Sequence, residues 1–150
     1  MRSVDLGDWV NLYAESSAVL AWLLDETPAP EVRRLLRDAE IIVASDLTLI
    51  ECDRVLLRAV ALTELTEAEA ADRRALLAAA SAHWNILRMA SEIVDRARQP
   101  FPGEPIRTLD AIHLASILVG RSAVPGLSLL SLDDRVRRAA RGLGVDVAPA

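Results

Sequence analysis

Short apolar runs alternate with segments of helical periodicity along most of this chain. Trp9 to Ala14 reads as a first strand ending at Glu15, where Ser16 and Ser17 suit a helix N-cap ahead of Ala18 to Leu24. Beyond Pro28 and Pro30 the pattern predicts a helix through about Arg37, a short strand over Ile41 to Ala44, and another helix capped by Ser45 or Asp46. Thr66 and Glu69 stand in capping-box register, so two antiparallel helices are expected over 46–61 and 66–81. Trp84 to Met89 alternates like a strand, and Ala90 to Arg98 reads as a helix that stops before the loop Pro100-Phe101-Pro102-Gly103. A compact apolar strand follows at Leu127 to Ser131. The helix after it, from about Asp134 to Arg141, is terminated by Gly142 and Gly144, and Val145 to Val147 supplies a final edge strand.

Strands alternating with helices imply βαβ units, hence a mostly parallel sheet of four or five strands between two helical layers. Ligands of such sheets bind at the carboxyl ends of the strands. A length of 150 residues without an internal repeat or a linker fits one domain over 1–150.

Composition narrows the function classes. Hydrophobic residues make up 52% of the chain and aromatics only 3%, so the core is aliphatic and stacking platforms for bases are scarce. The single cysteine, Cys52, excludes an intramolecular disulfide and suits a reducing compartment. Asp5 and Asp8 replace the basic start of a leader, and Ala18 to Leu24 is too short to cross a bilayer, so a cytoplasmic protein without a membrane partner is expected. A formal charge of −5 argues against holding nucleic acid by bulk electrostatics. It leaves an RNA substrate open, because all 17 basic residues are arginine, the side chain best suited to bidentate phosphate contacts. Arg135, Arg137, Arg138 and Arg141 cluster near the C-terminus, where they form either a solvated helix face or a phosphate contact.

Four acids, Glu15, Glu51, Asp110 and Asp133, each sit at a helix start or early helical turn beside a hydrophobic segment. Carboxylates brought to about 5 Å repel by roughly 3 kcal/mol per pair at an effective dielectric of 20. Such a cluster calls for a cation. The segments Glu15-Ser16-Ser17-Ala18, Ser45 to Glu51, Leu109-Asp110-Ala111-Ile112-His113-Leu114-Ala115 and Ser131-Leu132-Asp133 together resemble the PIN-domain ribonucleases, within them the VapC toxins of VapBC toxin–antitoxin systems. The likeness covers nearly the whole chain.

The resemblance implies a three-layer α/β/α PIN-like fold and a type II toxin that cleaves RNA with Mg²⁺ or Mn²⁺. It also implies a VapB-type antitoxin as partner and a homodimer. Asp110 and Glu15 are then expected to bind the metal directly, Asp133 directly or through water, and Glu51 as an outer ligand or as the base that orients water. One metal and two both satisfy the pattern. Ser17 and Ser131 are expected to bond carboxylates or cap helices. Arg107 contacts the scissile phosphate, pairs with the acids, or lies on the surface.

One residue departs from the family pattern. Glu15 stands where aspartate is usual, and its additional methylene displaces the carboxylate by about an ångström relative to the near-octahedral geometry of Mg²⁺. A catalytically weakened module that binds an antitoxin or partner is therefore the alternative. A phosphoryl-accepting receiver-like domain is disfavoured because that chemistry usually employs a lysine, which this chain lacks. Asp134 is set behind Asp133 by the Ser-x-Asp spacing. His113 is read as a structural residue on the helix face of Asp110, His83 as a surface or capping residue, Cys52 as core, and Trp9, Trp22 and Trp84 as core or interface.

Overall fold

The structure is a computed structural model that describes residues 10–150, so Trp9, the expected start of the first strand, lies outside the described residues. In chain order the elements are β1 (Asn11–Ala14), α1 (Ser16–Leu23), α2 (Ala29–Asp38), β2 (Ile41–Ser45), α3 (Asp46–Ala61) and α4 (Glu67–Ser81). They continue with β3 (Asn85–Leu87), α5 (Ser91–Ala97), α6 (Thr108–Ala123), β4 (Ser128–Leu130), α7 (Asp134–Gly142) and β5 (Val147–Ala148). The five strands form one wholly parallel sheet in the order β3-β2-β1-β4-β5.

Alternation along the strands decides which layer each residue enters. Tyr13, Val43 and Leu129 point into a core built with Leu114 and Ile117 of α6, Ile93 of α5 and Val136 of α7. Their neighbours Leu12, Ala14, Ala44 and Leu130 point the other way, against Ala18 and Val19 of α1, Val32 and Leu35 of α2, Cys52 of α3 and Leu77 of α4. Burying each large aliphatic side chain contributes about 1.5–3 kcal/mol. Both faces of the sheet are thus covered, as parallel sheets require.

Gly120 allows α6 to lie close on the sheet, since a Cβ there would meet Leu127 Cδ2 at 3.1 Å and Leu87 Cδ1 at 3.4 Å. The two expected capping residues of the antiparallel pair are present. Thr66 Oγ1 accepts from the Glu69 amide while Glu69 Oε1 accepts from the Thr66 amide, both at 3.0 Å. Ser45 likewise caps α3, with Thr48 as its reciprocal partner.

The edge strand differs from the sequence reading: pairing runs over Val147–Ala148 instead of 145–147. Gly144, at φ +75°, reverses the chain after α7, and Val145 is then spent on the core before the ladder begins. The third strand is also shorter than expected, since Trp84, Arg88 and Met89 stay outside it, with Trp84 packed on the core shared by α1, α3 and α4.

The order of strands positions the site. From β1 the chain builds outward through β2 and β3, then crosses back to place β4 on the other side of β1. The carboxyl ends of β1 and β4 therefore flank a crevice where neighbouring connections leave in opposite directions.

Candidate active site

Glu15 follows β1 directly and caps α1, with its side chain 5% exposed. Its Oε1 accepts from Ser17 Oγ and from Ser131 Oγ, each at 2.5 Å, and its Oε2 accepts from the Ser17 amide at 3.0 Å and Ser16 Oγ at 2.9 Å. Ser17 Oγ and Ser131 Oγ in turn accept from the amides of Leu132 and Asp133, at 2.8 and 3.1 Å. A carboxylate only accepts, so in the short contacts to Glu15 each serine gives its proton while its oxygen accepts from an amide; the two hydroxyl oxygens also lie 3.3 Å apart. Ser17 and Ser131 thus both bond the Glu15 carboxylate, and the pair ties the start of α1 to the turn after β4.

Ser16 links two acids. Its hydroxyl is 2.9 Å from Glu15 Oε2 and equally 2.9 Å from Glu51 Oε1, one turn into α3. A serine has one proton to give, so one of these oxygens keeps an unmatched lone pair at any moment. One ligand atom each from Glu15, Glu51 and His113 lies within 4.8 Å of the others.

His113 is the residue the sequence reading underrated. It is 1% exposed on α6, with Nε2 2.6 Å from Glu51 Oε1 and Nδ1 2.8 Å from the Tyr13 hydroxyl, which also bonds Ser45 Oγ at 2.9 Å. Nε2 carries the proton it gives to the carboxylate. Burial raises the Glu51 carboxyl, but the His113 hydrogen bond and charge, with Ser16, outweigh it and hold the group below its ordinary range. Tyr13 has no exposure, and burial pushes its phenol up to about 12, so it serves the chain as a neutral group. The available signal was the spacing of three between Asp110 and His113, which puts both on one helix face.

Asp110 lies in the first turn of α6, half-buried. Burial raises its carboxyl first, the charges of Asp133 and Glu15 raise it further, and Arg135 and His113 counter only in part. Asp133 caps α7: its Oδ1 accepts from the amides of Arg135 at 2.9 Å and Val136 at 3.4 Å. Asp134, the first residue of α7, is exposed. Arg107 precedes α6 and borders the same groove as Asp110. Cys52 is fully buried, and burial followed by the charges of Glu51 and Glu15 pushes its thiol up to about 12. Such a thiol is no nucleophile.

The carboxylates differ in how much of each is already used. Among the described residues Glu51 accepts only through Oε1 and Asp133 only through Oδ1, and no hydrogen bond engages the side chain of Asp110. Glu51 Oε2, Asp133 Oδ2 and both oxygens of Asp110 remain for a ligand. Carboxylate oxygens suit a hard divalent cation, although among the described residues the ligand atoms that lie within 4.8 Å of one another are those of Glu15, Glu51 and His113, without Asp110 or Asp133.

A parallel five-stranded sheet with acids at its switch point defines the class, and the sequence agrees: the PIN domain model matches residues 12–142. The chain belongs to the PIN-domain family. Within it, the chain is 38% identical to Ribonuclease VapC46 of Mycobacterium tuberculosis, over 91% of this chain and 95% of that one. Among solved structures it shares its fold with VapC20 of M. tuberculosis, a sarcin-ricin loop cleaving toxin. That match has a TM-score of 0.61 at 13% identity, over 86% of this chain and 95% of the other. VapBC2 of Rickettsia felis, bound to a DNA fragment from its promoter, matches with a TM-score of 0.58 at 10% identity, over 91% of this chain and 96% of that chain.

Proposed function

We propose that the protein is an endoribonuclease toxin of a type II toxin–antitoxin pair, hydrolysing phosphodiester bonds of single-stranded or structured RNA with Mg²⁺ or Mn²⁺. The observation that carries this reading is the set of uncommitted carboxylate oxygens on Asp110, Asp133 and Glu51 beside the Ser16-bridged acids. The resemblance to a ribonuclease over nearly the full chain supports it. Catalysis is favoured over a purely binding module, because Glu15 is built into its site by four donors and is not a misfit there.

Asp110 and Asp133 would hold the cation, with Glu15 joining through Oε2, whose Ser16 proton is shared with Glu51. When bound, the ion lowers the pKa of a coordinated water, polarises the phosphate and steadies the departing oxyanion. Glu51 takes the proton of the attacking water at Oε2, since Oε1 is held by His113 and Ser16. His113, backed by Tyr13, keeps that carboxylate from turning away. With EDTA, cleavage of a single-stranded RNA is expected to stop, and Mg²⁺ or Mn²⁺ to restore it. Undiminished cleavage in the chelator would exclude the metal reading.

Residues that orient ligands typically change metal affinity or activity by about 10–100-fold when removed. His113→Gln is expected to lower turnover in that range, and Tyr13→Phe less, with Mn²⁺ affinity by calorimetry and kcat on RNA as the two readouts. Wild-type values for both variants would leave Glu51 independent of this chain of bonds.

We assign the activity to a single domain, a reading supported by the family match along residues 12–142, and place it in the cytoplasm as part of the same proposal. Among the described residues no helix is long and apolar enough to cross a membrane. The regulatory partner in this reading is a VapB-type antitoxin, a pairing supported by the VapBC2 complex. Its arginine-bearing tail would satisfy the same free carboxylates as the cation. The toxin is proposed to act as a homodimer.

A further inference from the structure

The arginines near the C-terminus do not share one role. Arg135 and Arg138, both exposed, stand on α7 beside the groove that Asp110 borders. Arg137 turns the other way. Its guanidinium donates to three main-chain carbonyls: Nη1 to Ser131 at 2.7 Å and Ala148 at 3.2 Å, and Nη2 to Pro149 at 2.7 Å. No carboxylate pairs with it among the described residues, and burial, then Arg141, lowers its pKa against the pull of Asp134. Moving a guanidinium out of water to meet neutral oxygens is unfavourable unless its planar fork is well bonded, as it is here.

The three carbonyls mark where the sheet runs out. β4 and β5 pair as far as Leu130 with Ala148, and the Ser131 amide adds one more bond, to the Ala148 carbonyl at 3.1 Å. A further rung of a parallel ladder would bring an amide from beyond Pro149 to the Ser131 carbonyl. Nη1 of Arg137 takes that place. It can do so because Arg137 lies one turn into α7, its own amide bonded to the Asp133 carbonyl at 2.9 Å, and long helical side chains lean back toward the helix start.

Ser131, fully buried, is thereby held at every polar atom. β5 takes its amide, Arg137 its carbonyl, and its hydroxyl lies between the Glu15 carboxylate and the Asp133 amide. Leu132 follows in the same turn, with its amide on Ser17 Oγ. Arg137 thus reaches two acids without touching either, Glu15 through the Ser131 hydroxyl and Asp133 through the turn that both serine and helix fix. Its influence is one of placement: the charges that lower the Asp110 carboxyl are those of Arg135 and His113, and Arg137 is not among them.

We infer that Arg137 is a positioning residue of the site: it ties the Ser131–Asp133 turn to the end of β5 and so sets where the Asp133 and Glu15 carboxylates stand when they meet a cation. This rests on the ribonuclease reading and deepens it, because the edge strand, which contributes no acid, becomes part of the acids' support.

The test compares the full wild-type chain with Arg137→Gln and Arg137→Lys. In the metal-free proteins, hydrogen exchange at the Leu132 and Asp133 amides is expected to quicken about tenfold more than at the amides of β2. Mn²⁺ affinity by calorimetry should fall by about 10–100-fold, the range for residues that orient ligands, and kcat with it, while KM for RNA stays within about twofold. Lysine keeps the charge but lacks the fork, so it is not expected to rescue. It also carries the comparison should the Gln variant fail to fold. Wild-type Mn²⁺ affinity in the folded variants, full rescue by lysine, or exchange that quickens equally across the chain would overturn the clamp and leave the nuclease standing. A wild-type chain that binds Mn²⁺ yet cleaves no RNA removes the ribonuclease reading alone, and one that binds no Mn²⁺ removes both.

Discussion

Asp110→Asn is expected to lower metal-dependent RNA cleavage by about a thousandfold or more while leaving the fold intact. Burial, Asp133 and Glu15 all raise its pKa, Arg135 and His113 counter only in part, and no hydrogen bond among the described residues engages the carboxylate. A cation is what would relieve it. Removing one anionic ligand forfeits several kcal/mol of charge stabilisation, and each 1.36 kcal/mol is tenfold in rate. The amide keeps the shape and ends a repulsion, so the unfolding midpoint should hold or rise. Steady-state cleavage with Mn²⁺ and thermal unfolding of the same preparation check both halves, and an active Asn variant would take Asp110 out of the mechanism.

Glu15→Asp is the second large effect, and its direction discriminates. By family analogy alone, the shorter acid should restore a usual ligand and improve cleavage. The structure argues the reverse. The longer arm lets one carboxylate cap α1 and still reach Ser131 after β4, where it accepts from both serine hydroxyls. Withdrawing it by a methylene strands those hydroxyls in a buried setting. Hydrogen bonds to charged groups are worth about 1.5–3 kcal/mol each, so a loss of about 2–4 kcal/mol is expected. For a chain of this size that is a fall of roughly 5–15 °C in Tm. Cleavage should fall with it, because the turn carrying Asp133 loses its anchor. Gain of both activity and stability on shortening would mark the natural glutamate as a handicap.

Legibility in the sequence followed the range of each interaction. Caps and periodicity are local, so Thr66 with Glu69, and Ser45 ahead of α3, were readable before any coordinates. The position of Asp133 ahead of α7 was readable for the same reason, from its spacing to Ser131 and the helix that follows. His113 reaching Glu51, by contrast, joins positions 62 apart, and Tyr13 reaching His113 joins positions 100 apart. Periodicity placed His113 on the helix face of Asp110, yet what it meets there depends on how α3 and α6 cross. The same holds for the arginines. Their clustering was visible, but the division between Arg137, which binds carbonyls, and Arg138, which lines the groove, depends on which side of α7 the edge strand occupies.

The bond from Ser131 to Glu15 spans 116 positions, and the central strand β1 lacks its second neighbour until β4 pairs with it. Contacts at such separation form late, after the loop between them has closed. During synthesis, Glu15, Glu51 and Asp110 therefore emerge before Asp133 and the serine that locks Glu15, and the acid cluster is complete only once the Ser131–Asp133 turn has joined it.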